Sequence, residues 1–307
     1  MRPRVALSGV AIFGTALIAS LAVALSQPSS TSAPQHPSTQ SSTPAPQHPS
    51  TQIEPVNGPF DPPSTFSILG FDPRTGELGG AVHSAVFSVG NGVLWAEAGV
   101  GIAATQAIVD VSYGPQALEL LRKGMAPKEI ITTIWDRDPD PRPGNWTKHG
   151  RQFAVMNPKG EMAAYTGPKA SAWAGDRQGK FVTAKGNILA GEKVVTEMVR
   201  AFEESEKDEK GNPVHISFRL MAALDAGQAA GGDTRGMQSA AMIVVKKGCG
   251  VWVNNDVVLR LQVDDMPVPA LKPGQTPPAV EPPSPLKEMR RLVDRAAGQR
   301  RGRAGCF

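Results

Sequence analysis

Cysteine is nearly absent: Cys249 and Cys306 are the only two in 307 residues. One lies in a strand-like stretch and the other is penultimate. They form neither a disulfide framework nor a metal-ligand spacing, and the reading expects both thiols free. Long apolar runs are equally scarce. A single one, from Val5 to Leu25, follows the basic start Arg2 and Arg4. The small-residue pattern Ala24-Leu25-Ser26 at its end precedes Gln27, as in an export signal, yet the run is long enough to span a bilayer. Cleaved signal peptide (1–26) and signal anchor both stay open, and export is expected. Excess charge is also lacking where it would matter. The formal net charge is +4, but residues 286–307 carry seven Lys/Arg against Glu288 and Asp294. The rest of the chain is therefore close to neutral, which argues against nucleic acid as a partner. No phosphate loop is present, because no GK[ST] follows any glycine cluster.

Two proline-rich stretches bound what remains. Residues 27–64 are dominated by Ser, Thr, Pro and Gln, with "APQHPSTQ" at 33–40 repeated at 45–52. Such a segment has too little apolar surface to offset its ordering entropy and reads as a disordered linker. His36 and His48 belong to that repeat and not to a metal site. Eight prolines in 267–285 mark a second linker, and 286–307 reads as a basic tail with a short helix from Leu286 to about Ala297. The foldable region is 65–266, roughly 200 residues, enough for one well-buried core.

Within it, strand patterns at 65–71, 77–84, 93–98 and 100–107 lead into helical patterns at 113–124 and 126–138. After a loop at 139–150, strand patterns resume at 153–156, 162–166 and 181–184. Helices at 191–206 and 214–227 follow, and strands at 240–246 and 251–263 close the region. Helices arrive in pairs and not singly between strands. This disfavours a parallel doubly wound sheet and predicts an α+β fold of layered antiparallel sheets with helices outside.

The segments "TFSILGFDPRTGELGGAVHSAVFSVG", "WAEAGVGIAATQAI", "SYGPQALELL", "GNILAG" and "LDAGQAAGGDTRGMQSAAMIV" resemble the domain of unknown function 1028 family. The resemblance runs from Thr65 to about Met266. That family is similar to the N-terminal nucleophile (Ntn) hydrolases, which implies a four-layer αββα sandwich. It also implies a nucleophile at the first residue of the mature chain, a position matched by Thr65. A hydroxyl needs a base, and the α-amine of the same residue serves, with an ordinary pKa near 8. Here Thr65 lies behind Ser64 and two upstream segments, so its nitrogen is an amide unless the chain is cut. Where the family often carries Cys before and His after "WAG", this chain has Ala170 and Asp176.

Other candidates lie at strand ends and glycine-rich turns. Asn187 can donate to an oxyanion or simply cap a turn. Ser84 and Gln106 are substrate-binding candidates or satisfied buried groups. Asp233 and Arg235, in "AGGDTRGMQSA", orient a substrate carboxylate or amine, or bridge a loop to the sheet. Trp95 and Trp173 read as packing, and Asp264-Asp265 as a solvated strand end. No cofactor and no metal are expected. The function expected is an exported Ntn-type amidohydrolase acting on a small-molecule or peptide amide, active once freed before Thr65. The alternative is a non-catalytic envelope module that binds a polyanionic cell-envelope polymer through the basic tail or the glycine-rich pocket. A homo-oligomer is expected in either case.

Overall fold

Strict alternation governs the first strand. In the computed structural model, β1 (Thr65–Asp72) points Phe66 and Ile68 towards one buried cluster, and Leu69 and Phe71 towards another. Both faces of a strand can be buried only if something covers each face, and that requirement dictates the layering. The structure describes residues 65–144, 146–250, 256–272, 274–276, 278 and 282–300. The segments read as signal, first linker and final basic residues, with Ser64, His36, His48 and Cys306, lie outside the described residues, as do 251–255 at the start of the last expected strand.

In chain order the elements are β1, β2 (Glu77–Ser84), β3 (Leu94–Glu97), β4 (Gly101–Ala107), α1 (Tyr113–Arg122), α2 (Pro127–Arg137), β5 (Arg151–Met156), β6 (Met162–Thr166) and β7 (Gly175–Gly179). There follow β8 (Val182–Asn187), α3 (Glu192–Glu204), α4 (Ile216–Ala229), β9 (Gly236–Met237), β10 (Ser239–Val245), β11 (Val257–Val263), β12 (Val268–Pro269) and α5 (Pro285–Arg300). Six strands pair antiparallel in the order β11-β10-β2-β1-β8-β7, and four more in the order β3-β4-β5-β6. Between these sheets lies an apolar layer that includes Leu69, Val82, Ile102 and Ala154. Helices α3 and α4 cover the outer face of the six-stranded sheet, and α1 and α2 that of the four-stranded sheet. The α+β reading with two antiparallel sheets between helices is what the chain forms.

Local chemistry explains the close packing. At Gly70 any Cβ would sit 2.5 Å from the Phe202 ring of α3, so glycine lets that fully buried ring press onto the strand. Arg219 of α4 lies over the same ring at 4.0 Å and donates from Nε and Nη2 to the Phe202 carbonyl, near the C-terminal end of α3. On the opposite side, buried Arg151 opens β5. It donates to Asp138 at 3.2 Å and to the Ile108 carbonyl at 2.8 Å, while the Tyr113 hydroxyl donates to Asp138 at 2.6 Å. Burial alone would raise the Asp138 carboxyl. The Tyr113 hydroxyl, the Asp140 amide and the Arg151 guanidinium together hold it below the usual carboxylate range.

Three observations depart from the sequence reading. An additional edge strand, β7, is made of "GDRQG". Its mostly exposed polar residues give no alternation to read, and only its pairing with β8 makes it a strand. The helix α5 is not detached: Leu286, Met289 and Val293 are buried among the side chains of the larger core. Each such burial stabilises the fold by about 1.5–3 kcal/mol. Finally, Cys249 is disulfide-bonded and no described cysteine is free, which corrects the expectation of free thiols. α5 packs on β10 and β11, and Cys249 is buried in the same apolar cluster as Leu286, Met289 and Val293 of that helix.

Candidate functional site

Thr65 occupies the first position of β1, an interior strand of the six-stranded sheet. Register places it opposite Ser84 on β2 and Asn187 on β8. Only 1% exposed, it keeps its hydroxyl 3.1 Å from the Ser84 hydroxyl. Its carbonyl accepts from Gln106 Nε2 at 3.0 Å and Asn187 Nδ2 at 3.4 Å. Four sequence-predicted residues therefore meet at one point, although they come from strands of both sheets.

They meet through a residue the sequence reading missed. Gln152, fully buried on β5, accepts from Gln106 Nε2 at 2.8 Å and from Asn187 Nδ2 at 3.1 Å. Its own amide nitrogen donates to the Gly186 carbonyl at 2.8 Å and the Thr166 hydroxyl at 3.0 Å. The Ser67 hydroxyl closes the network by donating to Gln106 Oε1 at 2.6 Å. A buried amide network of this kind fixes its members when every bond is made. Asn187 is committed to the Thr65 carbonyl and to Gln152. In this arrangement it orients Thr65 and is not aimed at a separate oxyanion.

Backbone strain gathers at the same end of the sheets. Ala107, directly after Gln106, has φ 64°, and Ile188, directly after Asn187, has φ 54°. A β-branched residue in the left-handed region is an outlier that costs on the order of 1–3 kcal/mol, and such strain concentrates at functional sites. At Ile188 it bends the chain so that Leu189 bridges to Asp233, and the Ile188 carbonyl accepts from the Thr234 amide at 3.3 Å.

Asp233 and Arg235 form a loop clamp. The buried Asp233 carboxylate accepts from the Ala85 amide at 3.2 Å, from the Arg235 amide at 2.8 Å and from the Arg235 guanidinium at 3.4 Å. The carboxylate thus ties the loop leaving Ser84 to the glycine-rich loop. Asp264 and Asp265 do not converge: one accepts from Ser88 at 2.6 Å and the other from Gln238 at 3.0 Å. Among the described residues no group of three or more His, Cys, Asp or Glu is placed to hold a metal. Trp95 packs on Gly114 of α1, and Trp173 against the larger core.

Lys185 was also missed. It is fully buried on β8, directly opposite Ser67, on the face of the strand that carries Asn187. Its ammonium nitrogen has no hydrogen-bond partner among the described residues. Burial lowers its pKa from 10.5 to about 7, against a smaller opposing pull from Asp176. The available signal was the polar row Thr183, Lys185, Asn187 alternating with Val182 and Ala184. Read beside Thr65 and Ser67, it describes a polar strip facing the second sheet. His83, buried against Phe66 with ring centroids 4.9 Å apart, is lowered to about 3 by burial and lies on the helix side of the sheet.

A family model described as a family of unknown function, DUF1028, matches residues 65–272. The chain belongs to DUF1028. The match begins at Thr65, the residue on which the polar network converges. The chain is also similar to the crystal structure of protein SPO2555 from Silicibacter pomeroyi, likewise described by the DUF1028 family model. The two are 28% identical with a TM-score of 0.62, over 76% of this chain and 86% of that one. No curated protein matches. DUF1028 membership thus carries the fold and the position of Thr65, and the family description names no activity.

Proposed function

We propose that this DUF1028 protein is an exported, Ntn-type amidohydrolase whose nucleophile is Thr65 after cleavage before that residue. The observation that carries the reading is Thr65 itself. It opens an interior strand, with its hydroxyl beside Ser84 and its carbonyl gripped by two side-chain amides. A residue held from both ends is pre-organised for attack. Once its nitrogen is an amine, Thr65 Oγ1 attacks the substrate carbonyl carbon and gives its proton to that amine. The amine then protonates the leaving nitrogen as the C–N bond breaks. Water hydrolyses the resulting ester, releasing the acid and restoring the hydroxyl. The disulfide at Cys249 supports export, since such bonds persist in oxidising compartments.

The test is an intact-mass and N-terminal sequence measurement on the exported protein, followed by amide hydrolysis assays. The expected mature chain starts at Thr65, retains activity as Thr65→Ser and loses it as Thr65→Ala. Exported protein whose Thr65 nitrogen is still acylated by Ser64 would sink the reading.

A second reading is favoured by α5. Its Lys287, Arg291 and Arg295 are exposed and spaced four residues apart along one side. On this reading the fold is an envelope module that binds an anionic polymer through the helix. Deleting 286–307 would strip Leu286, Met289 and Val293 from the core. The informative variant is therefore the triple charge reversal of Lys287, Arg291 and Arg295 to Glu, which abolishes polyanion binding if the helix is the contact.

A further inference from the structure

Acyl transfer from an amide needs a donor for the oxyanion, and the side-chain amides around Thr65 are already engaged. Asn187 Nδ2 donates to the Thr65 carbonyl at 3.4 Å and to Gln152 Oε1 at 3.1 Å. Gln106 Nε2 donates to the same two acceptors at 3.0 and 2.8 Å. Backbone amides at the neighbouring strand ends are engaged too. The Ala85 amide donates to Asp233 at 3.2 Å, and the Ile188 amide to the Ser171 carbonyl at 3.3 Å. Lys185 lies one row further in, opposite Ser67. A tetrahedral intermediate on Thr65 Oγ1 could use none of these amides without breaking a bond already made.

The Ser84 hydroxyl differs from them in kind. It lies 3.1 Å from Thr65 Oγ1, on the adjacent strand and directly opposite in register. On its other side Ser84 faces Ser239 of β10. The Ser239 hydroxyl donates to the Val86 carbonyl at 2.6 Å and accepts from the Val89 amide at 3.0 Å. Ser239 therefore pins the loop leaving Ser84 at residues 86 and 89, and Asp233 pins it at Ala85. The backbone is fixed while the Ser84 hydroxyl hydrogen still turns about a single bond. A rotatable donor on a fixed backbone changes acceptor during a reaction, which an amide anchored by two bonds does not.

We propose that the Ser84 hydroxyl is the oxyanion donor of the Thr65 site. Before attack it donates to Thr65 Oγ1, which leaves the Thr65 proton directed at the α-amine. As Oγ1 bonds to the substrate carbon, the carbonyl π pair moves onto the carbonyl oxygen. That oxygen is one carbon away from Oγ1, and the Ser84 hydrogen turns to it. Ser84 keeps its proton throughout. When the pair returns and the C–N bond breaks, the leaving nitrogen takes its proton from the α-amine. The bond to Ser84 is thus strongest where charge develops, and this is what accelerates the step. The inference rests on the amidohydrolase reading.

The probe is phenylboronic acid, whose boron accepts a hydroxyl oxygen to give a tetrahedral anion without turnover. Boron NMR on the mature chain starting at Thr65 reads that adduct and its affinity. The parent is expected to form it, Thr65→Ala to form none, and Ser84→Ala to bind about 100-fold more weakly. Ser84→Cys, a weaker donor of similar size, is expected to fall between them. The pH midpoint of adduct formation follows the α-amine and is expected to stay the same in Ser84→Ala. A disturbed Thr65 would move that midpoint, whereas loss of a donor does not. An adduct as tight in Ser84→Ala as in the parent, or a weakening with a shifted midpoint, would overturn the proposal and leave the nucleophile reading standing. If the parent forms no adduct at Thr65, the nucleophile reading falls and takes this inference with it.

Discussion

Replacing Lys185 with Met keeps the length and apolar stem of the side chain and removes its amine. In the folded protein that amine is fully buried, unpartnered among the described residues, and lowered by burial from 10.5 to about 7. In the unfolded chain it holds its proton up to about pH 10.5. The unfolded state therefore binds more protons between about pH 7 and 10.5, and stability of the parent rises with pH across that window. Below it, the group costs the fold about 5 kcal/mol relative to an unperturbed lysine, and at pH 7 about 4 kcal/mol. Lys185→Met is expected to be more stable than the parent by up to that amount at pH 7, with the gain shrinking to nothing near pH 10.5. Urea denaturation midpoints at intervals from pH 6 to 10.5 give the comparison directly. A variant no more stable than the parent at pH 7, or a gain that does not change with pH, would refute the argument that the amine is buried at a cost. Lys185 lies opposite Ser67 and two residues from Asn187 on the same face of β8, and on the amidohydrolase reading the same substitution is expected to lower amide hydrolysis at neutral pH.

His83→Phe is expected to flatten acid unfolding. The parent histidine charges near 6.5 when unfolded but only near 3 when folded, so it contributes a loss of up to about 5 kcal/mol as pH falls through that interval. A pH titration of the melting midpoint reads the difference. Gln152→Leu strands the donors of Gln106 and Asn187 and the Gly186 carbonyl, at a cost of about 3 kcal/mol, and denaturant titration measures it. Arg151→Met leaves the buried Asp138 carboxylate without its cation and is expected to cost about 3–5 kcal/mol by the same measurement. The Arg151→Met/Asp138→Asn double variant should recover part of that loss.

Much of the fold could be read along the chain because its elements announce themselves locally. Phe66, Ile68 and Leu69 alternate or cluster as a doubly covered strand requires. Val194, Val195, Met198, Val199 and Phe202 recur with helical spacing, and all five are buried. In contrast, β7 has no apolar residue to mark it. The apolar spacing of Leu286, Met289 and Val293 was outweighed by the basic charge around it, so a core helix read as a tail. Within the site, Thr65, Ser84, Gln106 and Asn187 were each visible as polar residues at strand ends. Gln152 was not, since the strand pattern was read only from 153 and a glutamine just before it carries no signal until register and the other sheet supply Gln106 and Asn187 as its partners.

The amino-acid order alone determined the number and type of most elements, their antiparallel layering, and Thr65 as the residue that opens the first strand. Those properties follow from periodicity and turn chemistry over a few residues. Only the tertiary structure decided which polar side chains share one buried layer, that Asp233 clamps Ala85, and that Lys185 loses its proton near neutrality. Each of these depends on strand register and on the exclusion of water by a second sheet, and both are set by residues 40 to 150 positions away.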